Sequence, residues 1–244
     1  MPEGPSLIIL KEQVQSFLGK KVLEVSGNSK EDIARISGKK VAAFKTWGKH
    51  FLICFDGFAV RIHFLLFGTY RINEAKDATP RLGLRFRNGY INFYTCSVKI
   101  IEGDLNALYD WTADIMSGYW DAKAAKKKIK AQPDTLLCDV LLDQHIFAGS
   151  GNIIKNEVLY RTRLHPLNTV ISVPARKLSE LITEIRNYAF DFLKWKKEFT
   201  LKKHWLAHTK NVCLRCNLPI VKKYLGKTNR RTFYCENCQR RYRS

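Results

Sequence analysis

The chain opens Met-Pro-Glu-Gly-Pro, and removal of Met1 leaves Pro2 as a secondary amine beside the carboxylate of Glu3. A terminal amine titrates at about 7.7–8.0 in model peptides, so a useful fraction is neutral and nucleophilic at physiological pH. Attack of a secondary amine on a sugar aldehyde carbon gives a cationic iminium, an electron sink that acidifies neighbouring C–H bonds. That is covalent catalysis of the Schiff-base kind. The same five residues also fit an ordinary start with a processed methionine.

Four cysteines have the most specific spacing, Cys213-x2-Cys216 and Cys235-x2-Cys238 with 18 residues between the pairs. Two such knuckles can present four thiolates tetrahedrally to Zn2+ at about 2.3 Å, and four protein ligands leave no open position, so the metal expected is structural, one per chain. His204 and His208 lie close by as substitute ligands. After His204 come ten lysines and arginines against one acid, Glu236, so a metal-stapled hairpin here presents cations to phosphate.

Three further segments carry chemistry less specifically. In LLDQHIFAGSGNIIKNEVLYR, Gly149-Ser150-Gly151-Asn152 makes a tight turn into a helix whose amino-terminal N–H groups can hold a phosphate, with Asn152 as an uncharged donor and Lys155 as a charge. An ordinary helical hairpin with Asn152 as N-cap predicts the same turn. Gly48-Lys49-His50 sits between two strand-like runs, where a lysine is either functional or a solvated charge that discourages edge pairing. HFLLFG, residues 63–68, places Leu65, Leu66 and Phe67 in a row. Either that strand is buried on both faces, or its end projects apolar side chains from a loop, as wedges that enter DNA do.

These groups need a scaffold. Residues 6–18 read as an amphipathic helix ended by Gly19, and residues 21–101 as short alternating runs punctuated by Asp56-Gly57 and Asn88-Gly89 hairpin turns. The expected class is α+β. An antiparallel β-sandwich with an amino-terminal helix occupies 1–118, and a hinge with room for a short helix inside it occupies 119–133. A helical domain follows over 134–203, with its main helices in 134–195, and a zinc finger closes the chain over 204–244. Cys54, Cys96 and Cys138 stand singly in apolar surroundings and are expected to be buried thiols.

The 244 residues carry a formal net charge of +20, and the excess is concentrated after Tyr119, where 26 basic residues face 10 acidic ones. Such a balance implies a polyanionic partner, in the first instance nucleic acid. No signal peptide is visible, because Lys11, Glu12 and Gln13 interrupt the early apolar residues, and no apolar run approaches the length of a membrane span. A soluble protein that is not secreted is expected, acting wherever its DNA is (cytoplasm or nucleoid in a bacterium), with a monomer as the default state.

Taken together and in this order, the segments resemble the formamidopyrimidine-DNA glycosylase and endonuclease VIII family of base-excision repair enzymes. The resemblance runs from PEGP through TWGKHFL, HFLLFG and the helix–two-turn–helix segment to a finger ending R-x-TFYC-x2-C. It implies that Pro2 is the nucleophile and Glu3 the general acid and base. Lys49 joins this catalytic set by binding the backbone near the lesion, and Asn152 and Arg230 clamp phosphate. Leu65, Leu66 and Phe67 map more loosely onto the wedge. The implied partner is damaged double-stranded DNA. The implied reaction is base removal followed by β,δ-elimination, with no diffusible cofactor. Two features depart from the family pattern: Ser6 stands where glutamate is usual, and 18 residues separate the knuckles where 16 is commoner. The segment DFLKWKKEFTLKKHW is short where the purine-lesion branch carries a longer loop, so the resemblance favours the endonuclease VIII branch and oxidised pyrimidines. A non-catalytic zinc-finger DNA-binding protein accounts equally for the charge, the finger and the turn, but not for Pro2 beside Glu3. A zinc hydrolase fits poorly because four cysteines fill the metal.

Overall fold

The computed structural model describes residues 2–242, which form two compact units divided between Tyr109 and Asp110. In the first, helix α1 (Gly4–Gln13) starts from Glu3 in extended backbone, with Pro5 in the first turn where its missing N–H has no partner to lose. That places the helix start two residues before the one expected. Leu7, Leu10, Val14 and Phe17 recur at helical spacing and are buried against strands of the sandwich.

Eight strands follow: β1 (Glu24–Ser26), β2 (Ala43–Trp47), β3 (His50–Cys54), β4 (Phe58–His63), β5 (Thr69–Ile72), β6 (Leu82–Phe86), β7 (Gly89–Tyr94) and β8 (Ser97–Glu102). They make two antiparallel sheets, ordered β1-β6-β7-β5 and β2-β3-β4-β8. Phe51, Ile53, Val60 and Ile62 of one sheet share a single core with Leu84, Ile91 and Phe93 of the other, and α1 packs on β2 and β3. Each such fully buried side chain contributes about 1.5–3 kcal/mol relative to exposure. A short helix, α2 (Leu105–Leu108), ends this unit.

The second unit begins well before the hinge expected at 119–133, and that stretch is not a linker. It contains α3 (Ala122–Lys130), capped by the Asp121 carboxylate, which accepts the N–H groups of Lys123 and Ala124 at 2.8 and 3.1 Å. Ala125 and Ile129, one turn apart, are buried in the core of this unit, while Lys123, Lys127 and Lys130 are exposed. The half-buried Lys126 and Lys128 donate to Ser179 and to Asp110 and the His145 carbonyl, so the basic run belongs to a packed helix. Residues 134–151 are also less helical than their apolar spacing suggests. Only α4 (Leu137–Val140) forms, because side chains compete for the backbone beyond it. Asp143 accepts the His145 N–H at 2.9 Å and Gln144 accepts that of Gly149 at 3.1 Å.

Helices α5 (Asn152–Arg161) and α6 (Ala175–Lys197) complete the helical core, and β9 (Val221–Leu225) pairs with β10 (Arg230–Tyr234) in the finger. The finger is not a free module: β10 packs directly on α5. Cys96 and Cys138 are buried, and burial pushes both thiols up to about 11, whereas Cys54 is only half-buried. Among the described residues no helix is long and apolar enough to cross a membrane.

Candidate nucleic-acid interface and reactive amine

Pro2 is half-buried at the head of α1, and Glu3 beside it is 1% exposed. Ser6 is buried in the first turn, its N–H donating to the Glu3 carbonyl at 2.8 Å. Lys49 occupies, with Gly48, the two-residue turn between β2 and β3, the strands on which α1 packs. Antiparallel register then sets His50 opposite His63 and Leu52 opposite Arg61. The two imidazoles meet edge to face at 5.5 Å, and Trp47 and Tyr109 close around His50 at 5.5 and 5.8 Å. Burial, reinforced by Arg61, His63 and Lys49, lowers His50 to about 3, and burial, Lys49 and Arg61 lower His63 as well. At neutral pH both rings are therefore neutral, and the charge acting on them belongs to Lys49 and Arg61.

The sign of the resulting pH dependence follows directly. An unfolded histidine takes up a proton near 6.5, whereas folded His50 resists protonation down to about 3. Its stabilising contribution is present above pH 6.5 and is lost as pH falls through that window. His63, His165 and His208 are lowered too, chiefly by burial, and act in the same direction. The urea midpoint should fall between pH 7.5 and 5, and His50→Gln should flatten that fall.

Leu65, Leu66 and Phe67 lie in the β4–β5 loop, 46%, 47% and 80% exposed, so of the two readings of HFLLFG the projecting loop is the one observed. Leu65 has φ 48, a conformation costly for a branched side chain. Gly68 closes the loop by donating its N–H to the Phe64 carbonyl at 2.8 Å, and a Cβ there would lie 2.1 Å from that oxygen. Only glycine fits.

In the second unit, Gly151 is the N-cap of α5 and Asn152 the first helical residue, so the asparagine does not cap the helix. Its Nδ2 instead donates to the Arg231 carbonyl at 2.9 Å, while its Oδ1 is buried with no hydrogen-bond partner among the described residues. One contact thus ties the N–H end of α5 to the start of β10, where Arg230 is half-buried and Arg231 exposed. The positive end of a helix dipole tied to a strand that opens with two arginines suits an anion.

Lys155 was expected at this surface and is not there. It is fully buried, and its Nζ donates to Thr232 Oγ1 at 2.8 Å. Its neighbours do similar work inside the protein. Asn156 accepts the Phe233 N–H at 3.3 Å, and the Glu157 carboxylate accepts the N–H groups of Leu206, Ala207 and His208 at 2.8–3.0 Å. The run from Lys155 to Glu157 therefore joins α5 to the finger, because at this point of the helix every side chain faces protein. A buried charge survives there by being hydrogen-bonded.

The sulfurs of Cys213, Cys216, Cys235 and Cys238 all lie within 4.8 Å of one another. Thiolates arranged tetrahedrally at 2.3 Å from an ion stand about 3.8 Å apart, so these four residues can hold a metal. Burial raises the Cys213 thiol, but hydrogen bonds from the Tyr160 hydroxyl and nearby backbone N–H groups outweigh it and bring the thiol to about 6. Arg215 stacks on the Tyr160 ring at 4.1 Å and donates to the Tyr160 carbonyl at 2.7 Å, fastening the first knuckle to α5.

Two family models match this architecture: the formamidopyrimidine-DNA glycosylase N-terminal domain over residues 1–97 and the formamidopyrimidine-DNA glycosylase H2TH domain over residues 113–198. The chain belongs to the formamidopyrimidine-DNA glycosylase family. Among its relatives, endonuclease 8-like 3 of Bos taurus is 31% identical over 87% of this chain and 37% of its own length. Endonuclease 8-like 2 of Bos taurus is 30% identical over 75% of this chain and 58% of its own length. The chain thus spans well under half the length of the endonuclease 8-like 3 relatives it matches. The fold is that of Lactococcus lactis formamidopyrimidine-DNA glycosylase, solved with DNA containing an AP site. That structure aligns with a TM-score of 0.87 at 19% identity, over 98% of this chain and all of that one. A viral DNA glycosylase aligns at 0.85.

Within this family member, Asp139 of α4 is a positioning group that sequence reasoning missed. Its carboxylate accepts the Lys227 N–H at 3.0 Å and the Thr228 N–H and hydroxyl at 3.4 Å, clasping the β9–β10 turn just before Arg230. Gly226 makes room for it, since a Cβ would lie 2.3 Å from Asp139 Oδ1. Asp139→Ala should loosen that turn by about 2 kcal/mol, the worth of a carboxylate–amide hydrogen bond. The check is amide hydrogen exchange at Lys227 and Thr228, which should lose protection while α5 keeps its own.

Proposed function

We propose that the chain is a bifunctional DNA glycosylase and AP lyase that removes oxidised bases, pyrimidines foremost, from double-stranded DNA. The observation that carries this reading is Pro2, partly open to solvent, next to the buried carboxylate of Glu3 at the head of a family-type first helix. With its nitrogen as a free amine, Pro2 attacks C1′ of an extruded nucleotide and displaces the base. Glu3 shuttles protons during ring opening and elimination. The iminium acidifies C2′–H, so the 3′ phosphate leaves by β-elimination and the 5′ phosphate by δ-elimination. Lys49 in one unit and Asn152 and Arg230 in the other grip phosphate, while Leu65, Leu66 and Phe67 fill space vacated in the stack. Zn2+ is the metal that suits four thiolates in a closed site, where its part is to hold the finger folded.

Ser6 supplies no carboxylate to support Glu3, which favours, as a second reading, a DNA-binding protein that has lost catalysis. Borohydride trapping separates the two. A covalent adduct with duplex carrying an abasic or oxidised-pyrimidine site, mapped by peptide sequencing to Pro2, is expected. Tight binding without any adduct on abasic, thymine glycol, dihydrouracil, hydantoin and 8-oxoguanine duplexes would leave only the second reading.

A further inference from the structure

Helix α6 ends in a way that costs the protein stability without a visible return. Its last turn closes with the Phe199 N–H on the Lys196 carbonyl at 3.2 Å and the Thr200 N–H on the Trp195 carbonyl at 2.8 Å. This is the Schellman arrangement, and Phe199 occupies the left-handed position that glycine usually fills, with φ 58. A bulky side chain is strained there. Packing does not compensate, because Phe199 is 96% exposed, the most exposed of the protein's large apolar side chains among the described residues.

The turn is nonetheless held firmly. On one side His204 stacks on Trp195 with ring centroids 4.1 Å apart and planes within 8°, and on the other Leu201 is buried in the core of the unit. A strained backbone, a rigid base and a bare aromatic ring together describe a side chain held out for something off the chain. Leu65, in the loop proposed as a wedge, shows the same pairing of left-handed backbone and exposed apolar side chain.

The surrounding charge selects what that something is. Lys194, Lys196, Lys197, Lys202 and Lys203 are exposed on the chain just before and just after Phe199, and Glu198 is the one acid between Lys194 and Lys203. Exposed aromatics set among lysines are the means by which proteins hold unpaired nucleotides: the ring takes the base face and the ammonium groups take the flanking phosphates. We propose that Phe199 is a stacking platform for an unpaired nucleobase of a DNA strand, with Lys202 and Lys203 on the adjoining phosphates. The proposal rests on the DNA-binding reading above and adds a contact to it, on an element that supplies none of the residues assigned there.

The test compares undamaged labelled duplex, fully paired, with the same duplex carrying a three-base bubble. Wild-type protein should favour the bubble. Phe199→Gly should weaken bubble binding roughly tenfold, the loss typical of a stacked base, and change paired-duplex binding less than twofold. Phe199→Trp should restore the preference. Glycine takes φ 58 without strain, so Phe199→Gly should melt no lower than wild type, and lost folding cannot explain lost binding. Replacing Lys202 and Lys203 with serine should lower the salt dependence of bubble binding by about one to two in slope. The inference is overturned if Phe199→Gly binds the bubble like wild type or weakens both duplexes equally. Anionic phospholipid vesicles that bind wild type but not Phe199→Gly, with bubble binding intact, would assign the ring to a lipid surface instead. Wild-type protein that binds neither duplex would defeat the DNA-binding reading itself, an outcome distinct from a Phe199 variant that merely matches wild type.

Discussion

Blocking or replacing the Pro2 amine is expected to abolish strand cleavage on abasic DNA while leaving DNA binding nearly unchanged. An uncleaved Met1 converts the Pro2 nitrogen into an amide, which has no basic lone pair, so protein bearing Met1 should show neither borohydride adduct nor incision. Pro2→Gly is a subtler case, because it keeps a terminal amine. A secondary amine gives an iminium that is always cationic, whereas the imine of a primary amine must also hold a proton to act as an electron sink. The pyrrolidine ring also ties the nitrogen to the side chain and so limits the directions from which its lone pair can attack. Misplacement of about 1 Å can cost roughly 10²-fold, so Pro2→Gly should fall at least that far in single-turnover cleavage. Glu3→Gln should fall by about 10² to 10⁴, the range for loss of a positioned proton shuttle. Because Glu3 is buried, the amide variant also needs a melting measurement alongside the rate. Binding to an uncleavable abasic analogue that drops in parallel with cleavage would point away from chemistry and towards a structural role for these two residues.

The second large effect is expected on removing the metal. The finger has little core of its own: Cys213, Ile220, Phe233 and Cys235 cluster with Tyr160 of α5 and Ala207. Its hairpin and knuckles also carry a dense set of lysines and arginines that repel one another. Apparent binding free energies of about 10–16 kcal/mol are typical of closed thiolate sites, enough to make this segment's folding depend on the ion. One equivalent of metal per chain, zinc by elemental analysis, should therefore accompany the purified protein. Cys235→Ser or exhaustive chelation should release it, expose the β9–β10 arginines and lysines to trypsin, and cut DNA affinity. The first unit, whose sandwich core is separate, should keep its melting transition. Protein that retains trypsin resistance in the finger after losing its metal would show that the contacts of Glu157, Asn156 and Arg215 suffice to hold it.

Those contacts mark the limit of what residue order alone reveals. The sandwich was legible because alternation of apolar and polar residues at period two is written locally in each strand, and turns such as Asp56-Gly57 announce themselves. The same locality served the four cysteines, since a knuckle is a feature of four consecutive residues. By contrast, DTLLCDVLLDQHIF has helical spacing and is mostly turns, since Asp143 and Gln144 bind the backbone themselves. The lysine run of α3 read as a hinge because the two residues that bury it, Ala125 and Ile129, gain meaning only against α6.

For the functional surfaces the division is similar. Residue types at the amino terminus, the spacing of the knuckles, the Gly-Ser-Gly-Asn turn and the apolar triplet at 65–67 were determined by the sequence itself, because each is a short contiguous pattern whose chemistry is intrinsic. Only the tertiary structure decided that Lys155 points into protein, that Asp139 holds a turn nearly ninety residues away in the chain, and that Phe199 stands bare at a helix end. Burial and partnership are properties of what the rest of the chain brings alongside, and no local pattern encodes them.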